Sequence, residues 1–225
     1  MLKKYDDLPK FLQNKETKKY YDILHKKRGY LVLKRILDII LSTILLIILL
    51  PVFIILGIII KIDSKGPVFY RQERVTKYGK IFKIFKFRTM ITDADKGSLI
   101  TISKDDRITR VGRKIRNSRI DEIPQLINIF LGDMSFVGTR PEVKKYVDNY
   151  TASMKSTLLM PAGVTSWASI KFRDESEMME KYVDNLGIDG AYTKKILPKK
   201  MKYNLEYIEK CSLMEDIKIC IKTII

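Results

Sequence analysis

Apolar residues are spread very unevenly along the chain. From Ile39 to Ile60, 22 consecutive residues carry no charge. As one helix this run measures about 33 Å, enough to cross a hydrocarbon core of about 30 Å. A core helix of a globular domain normally shows a polar face; this run has none and is read as contacting a membrane. Pro51 divides it into residues 39–50 and 51–60, each about 15–18 Å long and reaching about mid-bilayer. Proline removes a backbone donor and clashes with the preceding turn, so a kink is expected there, with Ser42 or Thr43 serving the freed carbonyl. The run follows "HKKRGYLVLKR" and is too long for a signal-peptide core, so no cleavable signal is expected.

The remaining pattern predicts smaller elements. Leu8, Phe11, Leu12, Tyr20, Tyr21 and Leu24 fall at partly helical spacing within a basic segment over residues 1–28. They suggest one or two amphipathic helices on a membrane surface, with a solvated tail as the alternative. "PVFYRQ" and "KIFKIFKF" alternate apolar with basic residues, the strand period, and predict a β-hairpin turning near Lys77–Lys80. Residues 92–107 read as a polar loop. Residues 121–135 read as a helix opened by Asp121, Glu122 and Pro124 and closed by Gly132. Residues 136–142 read as a turn, and 142–155 and 174–185 as helical. Residues 158–172 are apolar around a Pro-Ala-Gly break, with Trp167 suited to a headgroup interface. Residues 202–225 place apolar positions three to four apart between lysines, as in a helix lying in an interface.

Charge changes the picture of the apolar run. Residues 1–30 hold nine Lys/Arg and four acids, and residues 61–90 hold nine and two. Basic flanks favour the cytoplasmic side, and here both flanks qualify. A helix bent at Pro51, entering and leaving by one face, satisfies both and is preferred over a kinked span. Over all 225 residues, 43 Lys/Arg against 26 Asp/Glu give a net charge of +17, which calls for an anionic partner: nucleic acid, lipid headgroups or a phosphate-bearing substrate. The single His25 lies away from the motif-rich centre, against a histidine triad or a histidine-rich metal site. Cys211 and Cys220 have no CxxC spacing and fit a reducing compartment, with packing as their role. No internal repeat is present.

Candidate chemistry concentrates in "RNSRIDEIPQLINIFLGDMSFVGTRPE" (116–142), where Asp121 and Glu122 sit among Arg113, Arg116, Arg119 and Arg140. An acidic pair at a helix start has a simple role in capping and complementing the dipole. The arginines add a second reading. Guanidinium groups suit bidentate phosphate binding, carboxylates suit Mg²⁺ arriving with phosphates, and a carboxylate can act as a nucleophile on phosphorus. Together with the apolar run, these groups point to phosphoryl transfer at a membrane face.

Three stretches carry a family resemblance: "KRILDIILS…LLPVFIILGIIIKIDSKGPVFYRQERVTKYGKIFKIFKFRTM", "DDRITRVGRKIRNSRIDEIPQLINIFLGDMSFVGTRPEV" and "PAGVTSWASIKFRD". In this order, over about residues 34–225, the chain resembles the bacterial sugar transferases, the monotopic phosphoglycosyl transferases. The resemblance implies transfer of a sugar-1-phosphate from a UDP-sugar to polyprenyl (undecaprenyl) phosphate with release of UMP, the first step of surface polysaccharide or glycan assembly. It implies Asp121 as the nucleophile forming a covalent phosphosugar intermediate and as an Mg²⁺ ligand. Glu122 would assist with acceptor or metal. Arg116, Arg140 and Arg173 fall on the family's phosphate-binding arginines, and Lys86 and Arg88 would face the same cleft. It also implies a helix broken at a Ser-Pro pair, here Leu50-Pro51. Pro-Arg-Pro is replaced by Thr139-Arg140-Pro141, and "GWAQVNGR" by "SWASIKFR" at 166–173, a region expected near the nucleotide-sugar.

The resulting expectation is an α+β, mostly helical monotopic protein of the bacterial cytoplasmic (inner) membrane. Residues 1–30 form a basic amphipathic segment, 31–62 a re-entrant membrane helix, and 63–225 a cytoplasmic catalytic domain with a small β-hairpin and an interfacial C-terminal helix. The family's larger N-terminal multi-span region is not expected. The expected partners are UDP-sugar, polyprenyl phosphate, membrane lipids and Mg²⁺, with no nucleic acid and with room for a homo-oligomer. Two other classes remain. Phe82, Phe85 and Phe87 among lysines would suit a membrane-tethered nucleic-acid binder, although the packed face of a hairpin explains them better. A non-catalytic membrane scaffold is the other.

Overall fold

The computed structural model describes residues 2–92 and 106–224. The loop expected at 92–107 lies almost wholly outside the described residues. What is described is mostly helical with two small sheets, an α+β architecture.

The chain opens with two short 3₁₀ turns and helix α1 (Lys15–Lys26), capped by Asn14, whose side chain accepts from the Thr17 N–H. Of the six apolar positions in this segment, all but Phe11 are buried. Leu8, Leu12, Tyr20, Tyr21 and Leu24 share a core with Leu158, Leu159, Tyr207 and Ile208. The N-terminal segment is therefore part of the same folded unit as the residues after 63, and its apolar stripe is used on that unit.

Helices α2 (Arg28–Ile48) and α3 (Leu50–Asp63) meet at Leu49 with a bend of 60°, and among the described residues no single helix is long and apolar enough to cross a membrane. Pro51 lies in the first turn of α3, where a missing N–H removes no intrahelical bond. The Leu49 N–H turns toward the Ile47 and Leu45 carbonyls and serves the break. Ser42 and Thr43, expected to do so, instead donate to the Ile39 carbonyl at 3.2 and 2.7 Å, upstream of the bend. A hydroxyl on a helix reaches only the carbonyl one turn back.

In α2 the usual amphipathic order is reversed. Its buried residues are Lys34, Asp38 and Ser42, spaced four apart on one stripe. Its exposed residues are large and apolar, among them Ile36, Ile40, Ile44, Ile47 and Ile48. α3 exposes Ile54, Ile55, Ile58 and Ile62 and buries Ile60. Both outer ends of the bent pair are fastened to one folded unit. At the first, Lys34 pairs with Asp216 at 2.7 Å and Asp38 accepts from the Phe136 N–H at 3.1 Å. At the second, Arg88 donates to the Ser64 carbonyl at 2.6 Å and to that of Lys65.

The hairpin forms where it was expected, although the lysines of its second strand recur every third residue and fall on both faces. β1 (Phe69–Val75) pairs antiparallel with β2 (Ile81–Phe87) in the register Phe69↔Phe87 to Val75↔Ile81. Tyr78 (φ 62°) and Gly79 (φ 78°) close the turn. Phe82 and Phe87 are buried in core clusters, and Phe85 lies beneath the Arg71 guanidinium at 4.3 Å. The aromatics that suggested base stacking are engaged in packing, Phe82 on one face of the hairpin and Phe85 and Phe87 on the other.

After α4 (Arg110–Asn117) comes a 3₁₀ turn, Ile120–Glu122, and then α5 (Gln125–Leu131). The helix expected over 121–135 is thus shorter. Asp121 and Glu122 precede it, Gly132 (φ 88°) ends it, and β3 (Met134–Val137) follows, where a turn was expected from 136. The span 142–155 breaks into α6 (Lys144–Val147) and α7 (Ala152–Lys155). β4 (Ala162–Thr165) pairs parallel with β3; a Cβ added to Gly163 would stand 2.2 Å from the Gly138 nitrogen. α8 (Trp167–Lys171) follows, with Trp167 Nε1 donating to Glu215 at 2.6 Å and its ring packed on the core. α9 (Glu175–Ala191) continues through a π-turn into α10 (Leu197–Lys210), and α11 (Leu213–Ile224) ends the chain. The single tail helix expected over 202–225 is therefore two. α10 buries Met201, Tyr207 and Ile208, while α11 exposes Met214, Ile217 and Ile221.

Candidate active site

Asn128 sets the distance between hairpin and acidic turn. From within α5 its amide donates to the Lys83 carbonyl at 2.9 Å and accepts from the Phe85 N–H at 2.8 Å, replacing a neighbouring strand along the edge of β2. Strand alternation puts Lys86 on the same face as Phe82 and Ile84, which pack against α5. Lys86 Nζ consequently reaches Glu122 Oε1 at 2.7 Å.

The turn carrying the acidic pair depends on Arg119, a non-glycine residue in the left-handed region at φ 54°, a conformation that costs about 1–2 kcal/mol. The reversal brings Arg116, at the end of α4, close enough to Asp121 for its charge to act on that carboxyl. Asp121 is buried. Burial raises its pKa, Lys86 lowers it, the Glu122 charge raises it, Arg116 lowers it, and the net shift is upward. Glu122 shifts the other way. Burial alone would raise its pKa, but the Lys86 charge and hydrogen bond, with Arg140 and Arg119, hold it below the usual value. Two adjacent carboxyls are thus driven apart by their surroundings.

Two cavities meet here. One, of about 330 Å³, is lined by Glu122 and Arg119 and by apolar side chains including Leu45, Leu49, Leu126 and Ile170; it opens against the bend of the helix pair. The other, of about 300 Å³, is lined by Arg74, Arg116, Glu142, Glu175, Tyr192 and Lys200. Arg119, Arg140, Ser169 and Arg173 belong to both. Arg140 Nη1 donates to Ser169 Oγ at 3.0 Å, forming part of the shared wall.

Of the residues expected from sequence, Asp121, Glu122, Arg116, Arg140, Arg173 and Lys86 come together. Arg88 does not. It is buried and donates to the carbonyls that end α3, because β2 stops at Phe87 and the alternation that aims Lys86 no longer applies. Arg119, one of the arginines grouped with the acidic pair, lines both cavities, whereas Arg74, Glu142, Ser169, Glu175, Tyr192 and Lys200 were missed. Arg74 and Lys200 are far from the acidic pair in sequence, and nothing local distinguishes them from other surface cations.

A family model for the bacterial sugar transferases matches residues 29–225. This chain belongs to the bacterial sugar transferase family. Over 198 residues it is 34% identical to the UDP-glucose:undecaprenyl-phosphate glucose-1-phosphate transferase of Escherichia coli K12, covering 86% of this chain and 39% of that protein. It is 33% identical over 199 residues to the UDP-N-acetylgalactosamine-undecaprenyl-phosphate N-acetylgalactosaminephosphotransferase of Aeromonas hydrophila, covering 87% and 43%. It is 35% identical over 162 residues to the uncharacterized sugar transferase EpsL of Bacillus subtilis 168, covering 69% and 79%. The chain thus spans about two-fifths of the length of the first two relatives, and the family match takes in both cavities and the bent helix pair.

Proposed function

We propose that this member of the family transfers a sugar-1-phosphate from a UDP-sugar to polyprenyl phosphate at the cytoplasmic face of the bacterial membrane. The products are UMP and a polyprenyl-diphosphate-sugar that starts glycan assembly. One observation carries the reading: Glu122 and its arginine neighbours stand where an apolar cavity meets a cationic one, as transfer between a lipid phosphate and a nucleoside diphosphate requires.

In the first displacement an Asp121 oxygen bonds to the phosphorus that bears the sugar. The bond from that phosphorus to the bridging oxygen breaks, and UMP leaves with the electron pair. In the second, a polyprenyl phosphate oxygen attacks the same phosphorus and the Asp121 carboxylate is released. Burial makes Asp121 a more basic nucleophile than an exposed carboxylate. Arg116, Arg119, Arg140 and Arg173 bind the diphosphate and stabilise charge developing on its oxygens. Lys86 holds Glu122 ionised and oriented.

Among the described residues no group of three His, Cys, Asp or Glu could hold a metal. Mg²⁺, however, commonly rests on one or two carboxylates plus substrate phosphates, a donor set that Asp121, Glu122 and a diphosphate would provide. When bound it supplies neutralisation of the phosphate charge.

The bent helix pair fits entry and exit by one face. Arms of 12 and 10 uncharged residues on either side of a 60° bend, each inclined equally to the surface, descend about 8–9 Å, within one leaflet of a core about 30 Å thick. Both ends fasten to the same folded unit, which cannot lie on two sides of a bilayer. The apolar outer faces of α2 and α3 then meet lipid, and the exposed stripe of α11 suits the interface.

The test is UMP release from a panel of UDP-sugars with undecaprenyl phosphate in nanodiscs. Release coupled to a lipid-linked sugar is expected. Absence of both with every UDP-sugar would overturn the reading.

A further inference from the structure

The cationic cavity holds two carboxylates that phosphate binding does not need. Glu142 is 4% exposed and Lys200 1%. Lys200 Nζ lies 3.1 Å from Glu142 Oε1 and 2.9 Å from Glu175 Oε2, and it donates to the Tyr192 hydroxyl at 2.7 Å. Glu142 Oε1 meets Lys200 off-axis: although buried, it accepts no hydrogen bond of proper geometry among the described residues. A buried carboxylate oxygen in that state can still take a hydrogen bond from a ligand.

A carboxylate close to a diphosphate repels it, so Glu142 and Glu175 are poor partners for the phosphates themselves. They suit the neutral, hydroxyl-rich part of the donor. Each sugar hydroxyl both donates and accepts; the two carboxylates take the donated protons, while Lys200 and Tyr192 hold those carboxylates in place. Phe172 and Met179 line the same cavity and offer apolar surface to the C–H face of a pyranose. Distance from the reaction is also suitable. The sugar hangs on the phosphorus that is attacked, and Arg119 and Arg140 connect this cavity to the one lined by Glu122.

We infer that Glu142, Glu175, Lys200 and Tyr192 form the sugar-recognising wall of the donor site and set which hexose is accepted. This rests on the transfer reading above and adds a part of the substrate to it.

The experiment uses the full chain in nanodiscs, with UDP and a panel of UDP-hexoses differing at C4 and in the C2 substituent. Binding is measured by calorimetry, and kcat/KM by UMP release. Wild type is expected to bind its best UDP-hexose more tightly than UDP. Glu142→Gln and Glu175→Gln are each expected to reduce that advantage about tenfold or more and to reorder the panel. Affinity for UDP and KM for polyprenyl phosphate should stay near wild type. Glu175 is partly exposed, so Glu175→Gln carries the test if Glu142→Gln does not fold. A folded variant keeping the wild-type order and the wild-type advantage over UDP overturns the inference, as does a wild type that binds UDP-hexoses no better than UDP. Wild type that binds UDP-hexoses selectively but never releases UMP overturns the transfer reading, while the binding comparison still decides the wall.

Discussion

Lys86 Nζ donates to Glu122 Oε1 at 2.7 Å, joining the second hairpin strand to the turn that carries the acidic pair. This contact helps lower the Glu122 pKa against the desolvation of a half-buried site and adds positive charge beside Asp121. Lys86→Met should therefore slow UMP release about 10²-fold, the order expected for loss of one preorganised charge, and Lys86→Arg should recover part of it. Single-turnover UMP release would measure both.

The upward shift at Asp121 has a sign that can be checked. The attacking form is the carboxylate, so the rate falls as pH drops through the raised pKa. The acid limb of single-turnover UMP release should accordingly lie above the ordinary aspartate value of about 3.9. Removing Lys86 should move the limb higher still, since that charge lowers the Asp121 pKa. Asp121→Asn should abolish turnover; wild-type UMP release by this variant would exclude the nucleophile role.

Chelation addresses the metal. With two carboxylates and a substrate diphosphate as the donor set, EDTA should stop turnover and added Mg²⁺ should restore it. Full activity after exhaustive chelation would remove the metal from the scheme.

Topology can be read by labelling. In a background lacking Cys211 and Cys220, cysteines placed near residue 10 and near residue 75 should react from the cytoplasmic side alike. Labelling from opposite sides would mean that the bent pair crosses the bilayer.

Asp216 gathers three donors: Lys34 Nζ at 2.7 Å, Tyr30 OH at 2.9 Å and Tyr207 OH at 2.6 Å. Removing the buried ammonium leaves a buried carboxylate without its counter-charge, at about 3–5 kcal/mol. Lys34→Met should thus lower the thermal unfolding midpoint in detergent markedly. Lys34→Met with Asp216→Leu should regain much of the loss.

Several elements were readable because their determinants are local. The two short apolar and basic stretches "PVFYRQ" and "KIFKIFKF", with a turn between them near Lys77–Lys80, sufficed for the hairpin, and Pro51 for the bend. Asp121 and Glu122 could be singled out because their arginine neighbours at 116 and 119 are also neighbours in sequence. The parallel pair β3–β4 was not readable. Each strand has four residues, and parallel pairing joins segments far apart along the chain. Nor was the burial of residues 8–24, since an amphipathic stripe suits a membrane surface and a protein core equally.

What the sequence determined by itself was therefore the kind of material at each place: an apolar bent helix between basic flanks, a hairpin, and acids among arginines. These follow from period, proline geometry and charge, which act over a few residues. Tertiary structure decided which groups meet. It sent Lys86 to Glu122 and Arg88 to the end of α3 although they stand two residues apart, and it brought Arg74, Glu142, Glu175 and Lys200 into one cavity. Those outcomes depend on strand ends, helix crossings and the solvation of buried charge, which are settled only when distant segments pack.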